Sequence, residues 1–268
     1  TLFRSGKVDV KQLHNPQGTN VGLISYVQSA GSMILRGRFI NSISYSSAAD
    51  VMNPVISSTR ANNGIDATAG IGTFSISNNT NNAFGISGGT IAVHDVCSAA
   101  GTPLAFLVTC PVSNINVSGG TVEFKPKTQT AAENHYVNST APFYNFTVNR
   151  ESGNASVYIL TNPLTVNNDL SLSSGILNAN NLDVTIGRHF TISAGTTYTT
   201  GTNTTIFNGS AAQTFTVDLA AALTVNKLTI DKPAGTVLTL AGSQNVLNVG
   251  SDLRLVAGTL NDGGKTVS

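Results

Sequence analysis

Leu164 to Asn178 reads LTVNNDLSLSSGILN, and the same frame returns without a gap at Leu247 to Asn261, LNVGSDLRLVAGTLN. Eight of the fifteen positions are identical: Leu164/Leu247, Val166/Val249, Asp169/Asp252, Leu170/Leu253, Leu172/Leu255, Gly175/Gly258, Leu177/Leu260 and Asn178/Asn261. What is retained is an alternating apolar skeleton, with Asp169 or Asp252 before a strand and Gly175 or Gly258 after it. Side chains alternate across a strand at period two, so Leu170 and Leu172, or Leu253 and Leu255, point to one face. A fixed internal period of this kind marks a repeat architecture in which each unit must stack on its neighbours to bury its apolar face.

Working outward, the unit polar–apolar–x–apolar returns at Asn145-Phe146-Thr147-Val148, Asp169-Leu170-Ser171-Leu172, His189-Phe190-Thr191-Ile192, Lys227-Leu228-Thr229-Ile230 and Asp252-Leu253-Arg254-Leu255. Successive starts are one coil apart, except that the longer interval from His189 to Lys227 is read as two short turns. Coils of about 19–25 residues with three short strands each predict a right-handed parallel β-helix, an all-β solenoid. It is expected to run through residues 1–268 as one segment, regular over 143–268 and less so over 1–142. At roughly 4.8 Å per coil, ten to twelve coils would make a rod about 50–60 Å long.

In the first half, FGISGGT (Phe84 to Thr90) resembles INVSGGT (Ile115 to Thr121). The paired glycines are expected at corners between sheets, where positive φ carries no penalty for a residue without Cβ. Three segments break the rhythm: Asn41 to Gly72, His94 to Pro111 and Lys125 to Pro142. They read as loop insertions over one face, serving either recognition or the covering of a sheet edge.

Composition narrows the functional classes. Only 10% of residues are charged, against roughly 25% in ordinary globular domains. The net charge of +1 leaves no electrostatic footprint for nucleic acid or an anionic membrane. Mean hydropathy is +0.10, yet no apolar run approaches the roughly 20 residues of a spanning helix. Nor do the short, turn-interrupted strands match the ~10-residue alternation of a membrane barrel, so no membrane insertion is expected. The C-terminal Lys265 to Ser268 aligns inside the second repeat copy, which predicts a piece of a longer chain.

A β-helix raises the possibility of a polysaccharide lyase or hydrolase, so the 13 carboxylates matter. Glycoside hydrolysis needs two of them close in space across the scissile bond, and none cluster in sequence. Asp169 and Asp252 hold the same position before a strand and read as turn residues capping their own backbone. His94-Asp95 is the one adjacent His–Asp pair and reads as a surface pair beside a loop, since the further ligands a metal would need are missing. His14, His135 and His189 are isolated. Cys97 and Cys110 bracket a short loop that holds Gly101 and Pro103. A disulfide closing it would fit an oxidising, extracellular setting and add about 3 kcal/mol; the alternative is two buried free thiols. No catalytic, metal or cofactor residues are expected, and no cofactor. Asn-x-Ser/Thr sequons at Asn78, Asn116, Asn138, Asn145, Asn154, Asn203 and Asn208 follow from the composition alone.

Taken together, the LTVNNDLSLSSGILN and LNVGSDLRLVAGTLN units, with FNGSAAQTF (Phe207 to Phe215) and LTIDKPAGTVLTL (Leu228 to Leu240), resemble the Asn/Thr/Gly-rich repeats of large Bacteroidota surface adhesins. That family is exported by type IX secretion and includes gliding-motility adhesins. The resemblance implies an extracellular, cell-surface stalk or filament rather than an enzyme. Its partners would be further repeats of the same chain, with glycans or solid surfaces as targets. The alternative is a carbohydrate-active β-helix enzyme.

Overall fold

The computed structural model describes residues 2–3, 6–10, 12–14, 24–37, 72–77, 80–94, 96, 104–125, 134–150 and 157–268. Among these, 25 strands form three sheets in which every pairing is parallel. The chain is a parallel β-solenoid.

The first sheet stacks Leu2–Phe3, Ser25–Gln28, Ala83–Val93, Ile115–Phe124, Asn145–Asn149, Leu170–Ser174, Phe190–Ile192, Gln213–Val217, Val237–Ala241 and Thr259–Asn261, with Lys7–Val10 and Ser32–Leu35 on a second arm. The second sheet stacks Leu13–His14, Phe74–Ile76, Leu104–Val108, Asn134–Ser139, Val157–Leu160, Ile176–Asn178 and Thr197–Thr199. The third stacks Leu164–Val166, Val184–Ile186, Thr204–Phe207, Leu223–Asp231, Val246–Ala257 and Thr266–Val267.

Alternation turns into columns. In the first sheet, Ile91, Val122, Phe146, Leu170, Phe190, Phe215 and Leu240 lie one above the next, and all are buried. Val166, Ile186, Phe207 and Ile230 do the same in the third sheet, each fully buried. Removing one such side chain from water is worth about 1.5–3 kcal/mol, and no coil could achieve it alone.

The register also corrects the repeat. The unit Phe190-x-Ile192 is followed in the first sheet by Phe215-x-Val217, not by Leu228-x-Ile230, which belongs to the third sheet above Thr205 and Phe207. The long interval from His189 to Lys227 is therefore a change of side rather than two turns. The two copies of the long motif both start on the third sheet and then fall one side out of step. Leu164 to Asn178 crosses the third, first and second sheets, whereas Leu247 to Asn261 crosses only the third and first. The cause is that the second sheet ends at Thr197–Thr199. Beyond it the chain runs from Gln213–Val217 directly into the long strand Leu223–Asp231. An apolar–x–apolar unit is accepted by any of the sheets, because period two carries no mark of which side it faces.

Two of the three supposed insertions contribute strands. Leu104–Val108 and Asn134–Ser139 are rungs of the second sheet, paired through Val137 and Phe106. Asn41 to Gly72 lies, apart from Gly72, outside the described residues.

The SGGT corners each need both glycines, for different reasons. Ala83–Val93 and Ile115–Phe124 are long strands bent at their glycine pair, with a register shift there. Gly89 and Gly120 have φ of +79° and +83°. The preceding Gly119 passes so close to the coil below that a Cβ would stand 2.2 Å from the Ser87 carbonyl oxygen. Backbone cannot retreat as a side-chain tip can, so Gly119→Ala is expected to cost about 2–3 kcal/mol through overpacking. Chemical denaturation of the variant measures this.

Candidate functional site

The polar residues that precede strands in the first sheet form a ladder. Asn145, Asp169 and His189 lie one above another at its edge. The Asp169 N–H donates to Asn145 Oδ1 at 3.3 Å, the His189 N–H to Asp169 Oδ1 at 3.2 Å, and the Thr214 N–H to His189 Nδ1 at 3.1 Å. Each side chain thus satisfies the backbone of the next coil rather than its own, which corrects the self-capping expectation. Asp252 is not in this series: it sits within Val246–Ala257 of the third sheet, beside Lys227. The repeat therefore brings Asp169 and Asp252 to different sides of the solenoid. Asp169→Ala should cost about 1 kcal/mol, the usual worth of a lost hydrogen bond, while Asp169→Asn, which keeps the acceptor, should cost far less. Thermal unfolding of the pair distinguishes a structural carboxylate from one whose charge is needed.

The other described carboxylates are mostly committed in similar ways. Asp183 accepts the Thr204 N–H, Asp218 that of Ser243, and Asp262 that of Gly264. Glu123 accepts Asn149 Nδ2 at 2.8 Å. Asp9 takes both arms of the Arg36 guanidinium at 2.6 Å. Burial opposes ionisation of Asp9, but the Arg36 bonds and charge outweigh it and hold the carboxyl below its ordinary range. Among the described residues, no three His, Cys, Asp or Glu side chains are grouped to hold a metal ion.

The histidines are placed by packing. His94 is buried rather than at the surface, and Asp95 lies outside the described residues. His135 is fully buried, edge-on to Tyr158 at 5.2 Å. Only the backbone pairing of His14 with Ser75 is described. Cys110 is a buried free thiol, raised by that burial above the usual thiol range; Cys97 lies outside the described residues. Of the glycines in the motif, Gly175 and Gly258 have φ of +103° and +85° and turn the chain between sheets. Leu170 and Leu172 are buried, whereas Leu253 and Leu255 are exposed.

Sequence reasoning missed the buried polar core. Lys232 is only 1% exposed, and its ammonium donates to Gly209 O at 2.8 Å, Ala211 O at 2.7 Å and Gln213 Oε1 at 2.7 Å. Gln213 in turn accepts the Gly209 N–H and donates to Ile186 O and Arg188 O. Three successive coils are thereby tied at one corner. At the other end Gln28 repeats the device, accepting from Tyr26 and donating to Gly31 O and Thr90 O. In sequence a lone Lys before Pro233 looks like any exposed turn lysine, and no signal separates the two.

No family model, curated protein or solved structure matches the chain.

Among the described residues, two shallow grooves are large enough to take a small ligand. One, about 390 Å³, opens between residues 195–198 and 219–224, where the second sheet stops. The other, about 450 Å³, lies between the turn 139–142 and residues 162–167 of the next coil. Every residue lining either groove is uncharged. Such surfaces can hydrogen-bond and make apolar contact, but they supply no acid, base or cation.

Proposed function

We propose that this chain is a mechanical and adhesive segment of an extracellular cell-surface filament or stalk. The carrying observation is the unbroken parallel stack of the first sheet, whose apolar columns are buried coil after coil. The polar rows at its edge are used to tie coils together. A solenoid of this build gains stiffness from nearest-neighbour interfaces along one axis. Its outer rows, such as Thr147, Ser171, Thr191 and Thr216 in register, offer neutral hydroxyls on four successive rungs. The resemblance to type IX-secreted Bacteroidota adhesins supports the same reading and extends it to gliding motility. No helix among the described residues is long and apolar enough to cross a membrane.

The test has two arms. Single-molecule pulling along the axis should give stepwise loss of coils at high force, and the purified chain should be retained on polysaccharide-coated or bare solid surfaces. Release of reducing ends or unsaturated products from any polysaccharide would overturn the reading in favour of a carbohydrate-active enzyme.

A further inference from the structure

The adhesive reading leaves open where a glycan would sit. The groove between the turn 139–142 and residues 162–167 differs from the rest of the coil-to-coil seam. Along that seam most amide and hydroxyl side chains are spent on neighbouring coils. Thr140 Oγ1 donates to Val108 O, Thr161 Oγ1 to Val137 O, and Asn180 Nδ2 to Leu160 O. Asn162 Nδ2 donates to Asn138 Oδ1, so the Asn162 oxygen keeps acceptor capacity. Thr165 and Asn167 are exposed and make none of the side-chain hydrogen bonds found among the described residues. They stand two positions apart, Thr165 within the strand Leu164–Val166 and Asn167 in the bend just past its end. Beside these groups the groove is lined by the Pro142 and Pro163 rings.

We propose that this groove binds a short neutral oligosaccharide. The chemistry of the groove selects that class. A pyranose ring carries hydroxyls that both donate and accept at its rim, and a face of C–H groups. The groove offers a carboxamide, a hydroxyl and an amide oxygen beside pyrrolidine surface. No lysine or arginine lines it to hold a uronate or sulfate, and no carboxylate lines it to repel one. Its volume of about 450 Å³ is at the small-ligand end of binding clefts, enough for one or two sugar rings. Its openness to solvent fits an internal stretch of a long polymer, which must enter and leave from both sides. The proposal rests on the adhesive function above and assigns it a position.

The experiment is a titration of isotopically labelled chain with cellotetraose, mannotetraose and N-acetylchitotetraose, with tetragalacturonate as the charged control, followed by amide NMR. At least one neutral sugar is expected to shift the side-chain amides of Asn162 and Asn167 and the backbone of 139–142, saturably and at millimolar concentration. Thr165→Ala with Asn167→Ala should weaken binding about tenfold, the worth of two neutral hydrogen bonds, while leaving the unfolding midpoint unchanged because both residues are exposed. If no neutral sugar shifts these signals, or the double variant binds as the parent does, the assignment is wrong. Retention on polysaccharide-coated surfaces separates the two levels. Equal retention of parent and double variant removes the groove and keeps the adhesive function; failure of both to be retained on any coating removes the two together.

Discussion

Phe106→Ala is expected to destabilise the chain by about 4 kcal/mol, within the range for truncating a fully buried phenylalanine. The ring lies at the centre of an aromatic stack. It is 4.8 Å from Phe74 and parallel to it, 5.3 Å from Phe143, and meets Phe84 and Phe124 edge-on at 6.1 and 6.4 Å. Those partners come from the first and second sheets and from the bend before Asn145–Asn149, so its loss leaves a cavity that several coils would have to close. Offset and edge-on ring pairs add about 0.5–1.5 kcal/mol each beyond burial. Leu253→Ala is the matched control. It deletes an apolar side chain from the same kind of strand unit, but Leu253 is 41% exposed, and about 1 kcal/mol or less is expected. Guanidinium unfolding of the two variants measures the contrast. Equal losses would mean that the columns are not the source of stability.

Lys232→Met should cost about 3 kcal/mol, because it leaves buried neutral acceptors unsatisfied at about 1–3 kcal/mol each. Methionine fills the space but gives no donor, so the Gly209 and Ala211 carbonyls and Gln213 Oε1 lose their shared partner inside the fold. Burial strips the ammonium of water and pulls it below the ordinary lysine range. The unfolded chain therefore binds more protons between the lowered value and the usual lysine pKa of about 10.4. Stability rises with pH across that window, the opposite sign to a paired surface lysine. Comparing the pH dependence of unfolding for the parent and the methionine variant isolates this contribution. Lys265→Met is the companion: Lys265 donates to Gly242 O at 2.6 Å but is only part-buried, and a markedly smaller loss is expected.

The two cases also show what could be read early. Phe146, Leu170 and Phe190 announce themselves by the apolar–x–apolar unit, and they do stack in register. Phe106 sits within LAFLV, buried along its whole length, and has no alternation to reveal a strand facing the core. A strand covered on both faces loses the polar half of its pattern. Lys232 is harder still, because its burial depends on the Gln213 side chain and on the turn carbonyls of Gly209 and Ala211, all in the preceding coil. For the grooves, the sequence shows an abundance of Asn and Thr, but not which side chains the backbone leaves unspent.

By itself, then, the sequence determined the architecture. Period-two alternation, repeated once per coil and punctuated by glycine, admits few folds except stacked parallel coils. Only the tertiary structure decided which side of the solenoid each unit occupies. Leu164 to Asn178 and Leu247 to Asn261 agree at eight positions and both begin on the third sheet, yet from Leu170 and Leu253 onward they lie one side apart, because every sheet accepts the same alternation and the second sheet stops between them. That stop, set by long-range pairing rather than by local preference, changed the role of the motif's aspartates as well. Asp169 became a rung in a ladder of backbone hydrogen bonds, and Asp252 part of an exposed strand.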